Sequence, residues 1–297
     1  MVDSSWGVVI VLYHPDETHL SETVKGLVEL TDQVALVNNG ERLSDDFEYP
    51  EFVTDLGSNR GIAFAQNRGV ESLIARDPTL EQVFFLDQDS DLPEGYFQGM
   101  LDTWSRVKHT TPNLGILSPR IERMNKPGSY SVLYVDQHRL NKMKFEDDRR
   151  TTVKGTLPIS SGILVSVSAF NAVGGLSEKW FIDWVDYDFD LEVLRAGYMN
   201  VTTAENAIIH KIGAPQRRHF FGREFEVTNY VLFREYYMTR NGIYLMRKFG
   251  RTIKGLRRYC FGGIARRFLM VFYEPHKLKR TGVLIKGLVA GLFTSYR

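Results

Sequence analysis

Two carboxylates stand one residue apart at the polar end of an apolar run. The run is Val83 to Leu86, and Asp87, Gln88 and Asp89 follow it. On an extended backbone Asp87 and Asp89 point to one side and Gln88 points to the other. Mg²⁺ and Mn²⁺ prefer oxygen ligands and keep positions open for water and substrate phosphates. The pair therefore predicts a cation site that serves a nucleotide, although Asp-x-Asp pairs also cap backbone amides in turns.

A second group of acidic residues lies among aromatic residues between Trp180 and Glu192. Its members are Asp183, Asp186, Asp188, Asp190 and Glu192. Aromatic surroundings exclude water and raise the proton affinity of a carboxylate, as a general base acting on a sugar hydroxyl requires. Acids also favour the start of a helix, where they complement its dipole. At least two of the five, Asp190 and Glu192, are expected to have only that second role.

A histidine, His210, ends the apolar run that begins at Ala207. A lone histidine at a strand end is more often a structural hydrogen-bonding residue than a metal ligand. Neutral imidazole is nevertheless a common ligand for divalent metals, and an acidic pair is already present for it to join. His210 is therefore a candidate third ligand beside Asp87 and Asp89.

Strands and helices alternate in the first part of the chain. This pattern predicts an α/β fold with a parallel sheet covered by helices on both faces. The predicted strands end in polar residues, which would meet at one edge of the sheet, where such folds bind ligands. The expected strands are Gly7–Tyr13, Gln33–Val37, a short one near Phe52-Val53, and Val83–Leu86, and the expected helices are Thr18–Leu30 and Asn59–Ala75.

The later part of the chain has a different pattern of apolar and polar residues. Leu114–Pro119 and Leu157–Val167 have the composition of further strands, and the charged stretch between them, Arg120–Lys154, is either a hairpin or a mobile loop. From about Glu224 the pattern is helical to the end.

Composition limits the class of protein. The chain has 297 residues, of which 43% are hydrophobic and 25% are charged, as in ordinary globular proteins. A single cysteine, Cys260, excludes an intramolecular disulfide and favours a reducing compartment. Since the first residues lack the basic start and apolar core of a secretion signal, we expect a cytoplasmic protein.

The charge is strongly segregated along the chain. Residues 1–216 contain 19 Lys+Arg and 32 Asp+Glu, a net charge of −13, whereas residues 217–297 contain 18 and 4, a net charge of +14. Apolar and aromatic residues alternate with the basic ones, which favours amphipathic helices on an anionic membrane surface over nucleic acid. No apolar run approaches the roughly 20 residues of a spanning helix. The alternatives are an oligomer contact, such as a homodimer, or a helical subdomain that covers its own core.

The order of several motifs, taken together, resembles a known family. They are Asn38-Asn39-Gly40, Asn59 to Gly69, Leu86 to Ser90, Ser161-Gly162, Phe181 to Asp186 with Arg195 to Tyr198, His210, and Tyr236 to Asn241. This order is similar to that of the inverting family-2 glycosyltransferases with the GT-A fold, and most like the bacterial rhamnosyltransferases of O-antigen and cell-wall polysaccharide assembly. The resemblance covers about residues 7–245.

The resemblance implies a GT-A catalytic domain over residues 1–222 and a helical C-terminal region over 223–297. It implies dTDP-L-rhamnose as the donor, Mg²⁺ or Mn²⁺ as the cofactor, and a glycan linked to polyprenyl diphosphate as the acceptor. The protein would then lie peripherally on the inner face of the cell membrane.

The resemblance also carries roles onto individual residues. Asp186 lies ten residues before Ala196 and matches the catalytic base; Asp183 is its rival, because Val185 stands where the family has glutamate. The remaining matches are Tyr13, Asn39, Asn59, Asn67 and Asp87 for the nucleotide sugar; Ser161, Gly162 and Trp184 for the donor-sugar and acceptor side; and Asp87, Asp89 and His210 for the metal.

Other functions fit the sequence less well. A family-2 transferase could instead use another nucleotide sugar, such as UDP-galactofuranose or a UDP-hexose. A nucleotidyltransferase would carry a glycine-rich basic loop where this chain has Tyr13 to Glu17. A nucleic-acid-binding protein would leave Asp87, Asp89 and Asp186 unexplained, and no Gly-x-Gly-x-x-Gly of a dehydrogenase follows the first strand.

Overall fold

The computed structural model describes residues 5–123, 128, 131–147, 150–210, 216–220, 223–227, 230–293 and 295. The chain divides into two compact units. The first comprises Met1–Tyr134, Lys142–Phe181 and Val185–His210, and the second comprises Val135–Asn141, Ile182–Trp184 and Lys211–Arg297. The predicted domain boundary between 222 and 223 adjoins residues 221–222, which lie outside the described part of the chain.

The regular elements are strands and helices, which are numbered separately in chain order. The strands are β1 (Trp6–Leu12), β2 (Val34–Asn38), β3 (Val53–Asp55), β4 (Gln82–Asp87), β5 (Leu114–Arg123), β6 (Val132–Asp136), β7 (Arg139–Met143), β8 (Thr152–Lys154), β9 (Ile163–Ser166), β10 (Met199–His210), β11 (Gln216–Phe220) and β12 (Arg223–Val227). The helices are α1 (Glu17–Val28), α2 (Ile62–Arg76), α3 (Tyr96–Thr110), α4 (Val167–Val173), α5 (Val185–Arg195), α6 (Leu232–Phe249), α7 (Leu256–Met270) and α8 (Lys277–Phe293).

An eight-stranded sheet with the order β3-β2-β1-β4-β9-β5-β10-β8 forms the centre of the first unit. β3, β2, β1 and β4 pair in parallel, as do β5 and β10. β1, β2 and β4 are almost continuously apolar and buried. Strands of this kind are covered on both faces of the sheet. The predicted α/β class with a mostly parallel sheet is thereby confirmed.

Two strands run against the parallel strands of the sheet. β9 pairs antiparallel with both β4 and β5, and β8 pairs antiparallel with β10. β8 and β9 therefore run in the same direction, opposite to the other six strands.

The structure also shows the outcome for two later segments. The stretch Arg120–Lys154 contains the β6–β7 hairpin, one of the two alternatives that the sequence left open. The helical pattern does not start at Glu224, because that residue lies in β12, which pairs with β11. In β12 polar and apolar residues alternate with a period of two, the spacing of a strand. The first helix after it, α6, begins at Leu232.

The helices α6, α7 and α8 belong to the second unit. Gly287 and Gly291 of α8 lie against α6, where an added Cβ would come within 2.7 Å of the Tyr236 carbonyl oxygen or 2.8 Å of the Arg240 carbonyl oxygen. Small residues at these positions let the two helix backbones approach closely. In the described part of the chain no helix is long and apolar enough to cross a membrane.

A buried ionic cluster lies in the same unit and consists of Glu235, Glu274, Arg267 and Arg280. The Arg280 Nη1 atom is 2.7 Å from Glu235 Oε1 and 3.0 Å from Glu274 Oε2. Arg267 Nη1 is 4.0 Å from Glu235 Oε1. Burial raises the pKa of Glu235, while Arg280 acts in the opposite direction. Two of the basic residues of the C-terminal region are therefore used inside the unit.

Candidate active site

The carboxyl ends of four neighbouring strands lie level with one another. Val11 of β1 is in register with Val37 of β2 and with Asp87 of β4, and Asn38 of β2 is in register with Asp55 of β3. The polar residues that follow these strands therefore meet at one edge of the sheet, as ligand sites of α/β folds do.

A cavity of about 460 Å³ opens at the ends of β1, β2 and β3. Two of the predicted nucleotide-binding residues, Tyr13 and Asn59, line it, and Tyr13 is 50% exposed. Sequence reasoning missed the other lining residues, although Asp55 could have been found as the polar end of the short strand predicted near Phe52. The lining residues are Tyr13, His14, Gly40, Glu41, Arg42, Asp55, Gly57, Ser58 and Asn59.

Asn39 has a different position from Asn59, because its side chain is buried. The Asn39 Nδ2 atom donates to Asn59 Oδ1 (3.2 Å), and the Arg60 N–H donates to Asn39 Oδ1 (2.7 Å). The Gly61 N–H also donates to Asn59 Oδ1 (3.0 Å). The two amides thus connect the end of β2 to the glycine turn that precedes α2.

The glycine of that turn makes a close contact that another residue could not make. Gly61 has φ +87°, and an added Cβ would lie 2.7 Å from the Phe181 carbonyl oxygen. The Ile62 N–H, at the start of α2, donates to the same oxygen (2.7 Å). The glycine turn therefore fixes Phe181, the first residue of the motif that contains the candidate base Asp186.

Asn67, like Asn39 and Asp87, is a predicted nucleotide-binding residue that does not line the cavity. Its side chain is buried on α2. The Nδ2 atom donates to the Leu176 carbonyl oxygen (2.8 Å), and Oδ1 accepts from the Leu176 N–H (2.9 Å). Nδ2 also lies 3.2 Å from Glu178 Oε1. In the structure, the Asn67 amide holds the segment that leads into Phe181.

The Asp-Gln-Asp segment is not extended, contrary to the sequence-based expectation. β4 ends at Asp87, and a turn follows in which the Ser90 N–H donates to the Asp87 carbonyl oxygen (3.1 Å). Asp87 is half-buried and Asp89 is exposed. Gln88 folds back onto β1, where Oε1 accepts from the Tyr13 N–H (2.7 Å) and Nε2 donates to the Tyr13 carbonyl oxygen (3.1 Å). The turn breaks the two-residue alternation on which that expectation depended.

Ser161 and Gly162 precede β9, next to the end of β4. The Gly162 N–H donates to the Phe85 carbonyl oxygen (2.8 Å), and continuing the β4–β9 register places Ser161 beside Asp87. Gly162 has φ +73°, and an added Cβ would lie 2.7 Å from the Tyr96 hydroxyl oxygen. That buried hydroxyl donates to the Gly162 carbonyl oxygen. Ser161 and Gly162 are therefore close to the predicted cation site, and Ser161 is buried.

Asp186 lies in the first turn of α5 and is half-buried. One turn later on the same helix, Asp190 is fully buried, and its Oδ2 atom has no hydrogen-bond partner among the described residues. Burial, and then the charge of Asp186, raise the pKa of Asp190 well above its ordinary value. The expectation that Asp190 only complements the helix dipole is wrong, because α5 buries this carboxyl.

The rival base, Asp183, belongs to the second unit, where Arg234 binds it. Arg234 Nε lies 3.1 Å from both Asp183 carboxylate oxygens, and Nη2 lies 2.9 Å from Oδ1. Burial raises the pKa of Asp183. The hydrogen bonds and charge of Arg234 and the charge of Arg267 lower it, but by less. Accepting a proton would weaken this bidentate ion pair, which counts against Asp183 as the base.

Trp184 is likewise fixed inside the second unit. Its indole Nε1–H donates to the Met238 carbonyl oxygen (2.9 Å), and its ring packs edge-on against Tyr259. Asn241 Nδ2 donates to the carbonyl oxygens of Ile182 (2.8 Å) and Asp183 (2.9 Å). These bonds support an unusual backbone, since Phe181, Asp183 and Trp184 all have φ between 57° and 65°.

The predicted metal ligands are only partly described. Among the residues with described positions, no three His, Cys, Asp or Glu side chains form a group that could hold a metal ion. β10 ends at His210, in register with Arg123 of β5, and the His210 side chain lies outside the described part. Asp87 and Asp89 lie in one turn at the end of β4, and their carboxylate oxygens are of the type that Mg²⁺ and Mn²⁺ prefer.

Comparison with known proteins gave one informative similarity. No protein-family model matches the chain. The chain is similar to the dTDP-rhamnosyl transferase RfbF of Shigella flexneri, with 28% identity over 252 residues that cover 83% of this chain and 81% of that protein.

Proposed function

We propose that this protein is a glycosyltransferase that moves L-rhamnose from dTDP-L-rhamnose onto a hydroxyl of a glycan acceptor. The observation that carries the proposal is the similarity to a dTDP-rhamnosyl transferase over 83% of the chain. The cavity at the strand ends next to the Asp87–Ser90 turn supports it, because a nucleoside and a diphosphate need adjacent apolar and polar sites. The sheet order, with β9 antiparallel between parallel strands, is compatible with the GT-A fold.

Within this proposal the cavity holds the nucleoside. Tyr13 offers an exposed ring for the base, and Asn59 and Asp55 offer polar atoms for the base and ribose. Asp87 and Asp89 would hold Mg²⁺ or Mn²⁺, which when bound supplies positive charge against the nucleotide diphosphate. Ser161, whose expected position is beside Asp87, faces the donor-sugar side.

Asp186 performs the proton transfer in the proposed reaction. It accepts the proton of the acceptor hydroxyl as that oxygen attacks the anomeric carbon and the nucleotide diphosphate departs. A single displacement of this kind inverts the anomeric configuration. Burial and the charge of Asp186 raise the pKa of the neighbouring Asp190, which disfavours a second negative charge beside the base.

We further propose that the acceptor is linked to a lipid in the synthesis of a bacterial surface polysaccharide, and that α8 lies on an anionic membrane surface. Four large apolar side chains form one exposed row on α8: Leu278, Ile285, Val289 and Leu292. Residues 250–297 contain one acid, Glu274, and it is buried against Arg280. An anionic lipid surface matches an apolar row with basic neighbours.

The donor is tested by a screen of nucleotide sugars. We expect dTDP-L-rhamnose, with Mg²⁺ or Mn²⁺, to raise the melting temperature and to be hydrolysed slowly without acceptor. UDP-hexoses and UDP-galactofuranose serve as the matched alternatives. A response to a UDP-sugar alone would replace the donor but keep the enzyme class, whereas a response to none of them would contradict the proposal.

A further inference from the structure

The side chain of Gln88 extends the sheet beyond the last backbone pair between β1 and β4. That pair is Val11 with Asp87. Beyond it, Gln88 Oε1 accepts from the Tyr13 N–H at 2.7 Å, and Nε2 donates to the Tyr13 carbonyl oxygen at 3.1 Å. A side-chain amide carries the same donor and acceptor as a peptide group. Gln88 therefore replaces the strand that the chain leaves when it turns after Asp87.

This contact joins the two halves of the proposed donor site. Gln88 lies between Asp87 and Asp89 in the turn, and Tyr13 lines the cavity. The Ser90 N–H closes the turn on the Asp87 carbonyl oxygen (3.1 Å). We propose that Gln88 is a positioning residue that sets the carboxylates of the turn at a fixed distance from the nucleoside cavity. This inference rests on the proposed function.

The residue type suits this role. Gln88 binds Tyr13 only through backbone atoms, so the Tyr13 ring remains half exposed at the cavity. Glutamate would keep an acceptor for the Tyr13 N–H but would place a carboxylate against the Tyr13 carbonyl oxygen. Asparagine is one methylene shorter and would have to draw the two strand ends together to reach both atoms.

The test compares Gln88→Met with Gln98→Met in the full-length protein. Methionine keeps the length of the side chain and removes both hydrogen bonds. Gln98 is the matched control, because its Nε2 atom donates to Asp102 Oδ1 (2.8 Å) on the exposed side of α3. We expect Gln88→Met to raise the donor KM and the Mn²⁺ concentration for half-maximal activity about tenfold each, with kcat changed by less than about twofold. Gln98→Met should change none of them.

The outcomes separate the two proposals. If the wild-type protein binds no dTDP and uses no dTDP-sugar, the proposed function fails. If the wild type is active and Gln88→Met has a normal KM and metal requirement, or only a lower melting temperature and a lower kcat, Gln88 is merely structural and the inference is wrong. A second variant, Gln88→Glu, keeps the bond from the Tyr13 N–H but sets its other oxygen against the Tyr13 carbonyl oxygen, so its donor KM should also rise; a wild-type KM in this variant would contradict the inference.

Discussion

The two carboxylates of α5, at Asp186 and Asp190, are one helical turn apart but differ in burial. Asp186 is half-buried and Asp190 is fully buried. A buried carboxyl without a hydrogen-bond partner at Oδ2 is costly to ionise, and the pKa of Asp190 is raised accordingly. This difference in burial leads to a prediction about kcat for Asp186 and to one about stability for Asp190.

Replacing Asp186 by asparagine should remove the proton acceptor while keeping the shape of the side chain. We expect kcat for transfer to fall by about 10²- to 10⁴-fold, the usual contribution of a general base, with little change in donor KM. Asp183→Asn should lower kcat less, since Arg234 already binds that carboxylate. Steady-state kinetics of both variants measure this. Near-normal turnover in Asp186→Asn would move the base elsewhere.

Asp190 should make the protein less stable as the pH rises. Its pKa in the folded protein is raised well above that of the unfolded chain, so the folded state binds the extra proton. Its contribution is fully present below about pH 4 and declines as the pH rises toward the raised pKa, by about 1.4 kcal/mol per unit of that difference. Asp190→Asn should therefore gain melting temperature relative to wild type as the pH rises above about 4. The exposed Asp102→Asn is the control, and parallel curves for wild type and Asp190→Asn would contradict the prediction.

At the scale of elements, the start of α2 is in close backbone contact with Phe181, the residue after Trp180. Gly61 touches the Phe181 backbone, and its φ of +87° is one that other residues rarely adopt. Gly61→Ala should cost about 1–3 kcal/mol in folding free energy and lower kcat, because the chain leading to Asp186 must shift. Gly26→Ala, on the open face of α1, is the control, since an added Cβ there meets nothing within 4 Å. Urea unfolding and kinetics of both variants test it; an unchanged kcat would separate the turn from catalysis.

The apolar row of α8 is not covered by other described residues and is exposed to solvent. The double variant Ile285→Glu with Val289→Glu should abolish flotation with anionic vesicles, because it introduces two acids into the face proposed to contact lipid. Leu30→Glu, at another exposed leucine in the first unit, should float like the wild type. High salt should weaken flotation of the wild type. Retained flotation of the double variant, or flotation with neutral vesicles alone, would point to a different surface.

For the whole molecule, sequence patterns were sufficient for the class of fold and for the edge of the sheet that carries polar residues. Continuous apolar runs identify β1, β2 and β4 because these strands are buried on both faces. The direction of β9 was not predictable in this way, since an apolar run identifies a buried strand but not its direction. The strand at Arg223–Val227 was missed because a short alternating run lay beside a long helical pattern.

The candidate site was predictable to a smaller extent, because contacts between residues distant in sequence decide it. Tyr13 and Asn59 do line a cavity, but Asn67 binds Leu176, far along the chain. The turn after Asp87 redirects Gln88 toward Tyr13, 75 residues away. Likewise, only the tertiary structure reveals that α5 buries Asp190. Residue types were sufficient to locate the edge of the sheet that carries the site. The contacts of the individual residues could be known only from the tertiary structure.

The left-handed backbone of Phe181, Asp183 and Trp184 has a consequence for how this protein can be improved or can diverge. Each of these residues stands where glycine would adopt the same conformation without the usual cost of about 1–2 kcal/mol. At Asp183 and Trp184, however, glycine would also remove the ion pair with Arg234 and the indole hydrogen bond to Met238, and these contacts outweigh the backbone strain. A library selected for thermostability should therefore retain both side chains, and enrichment of glycine at either position would show that the strain costs more than the contacts contribute.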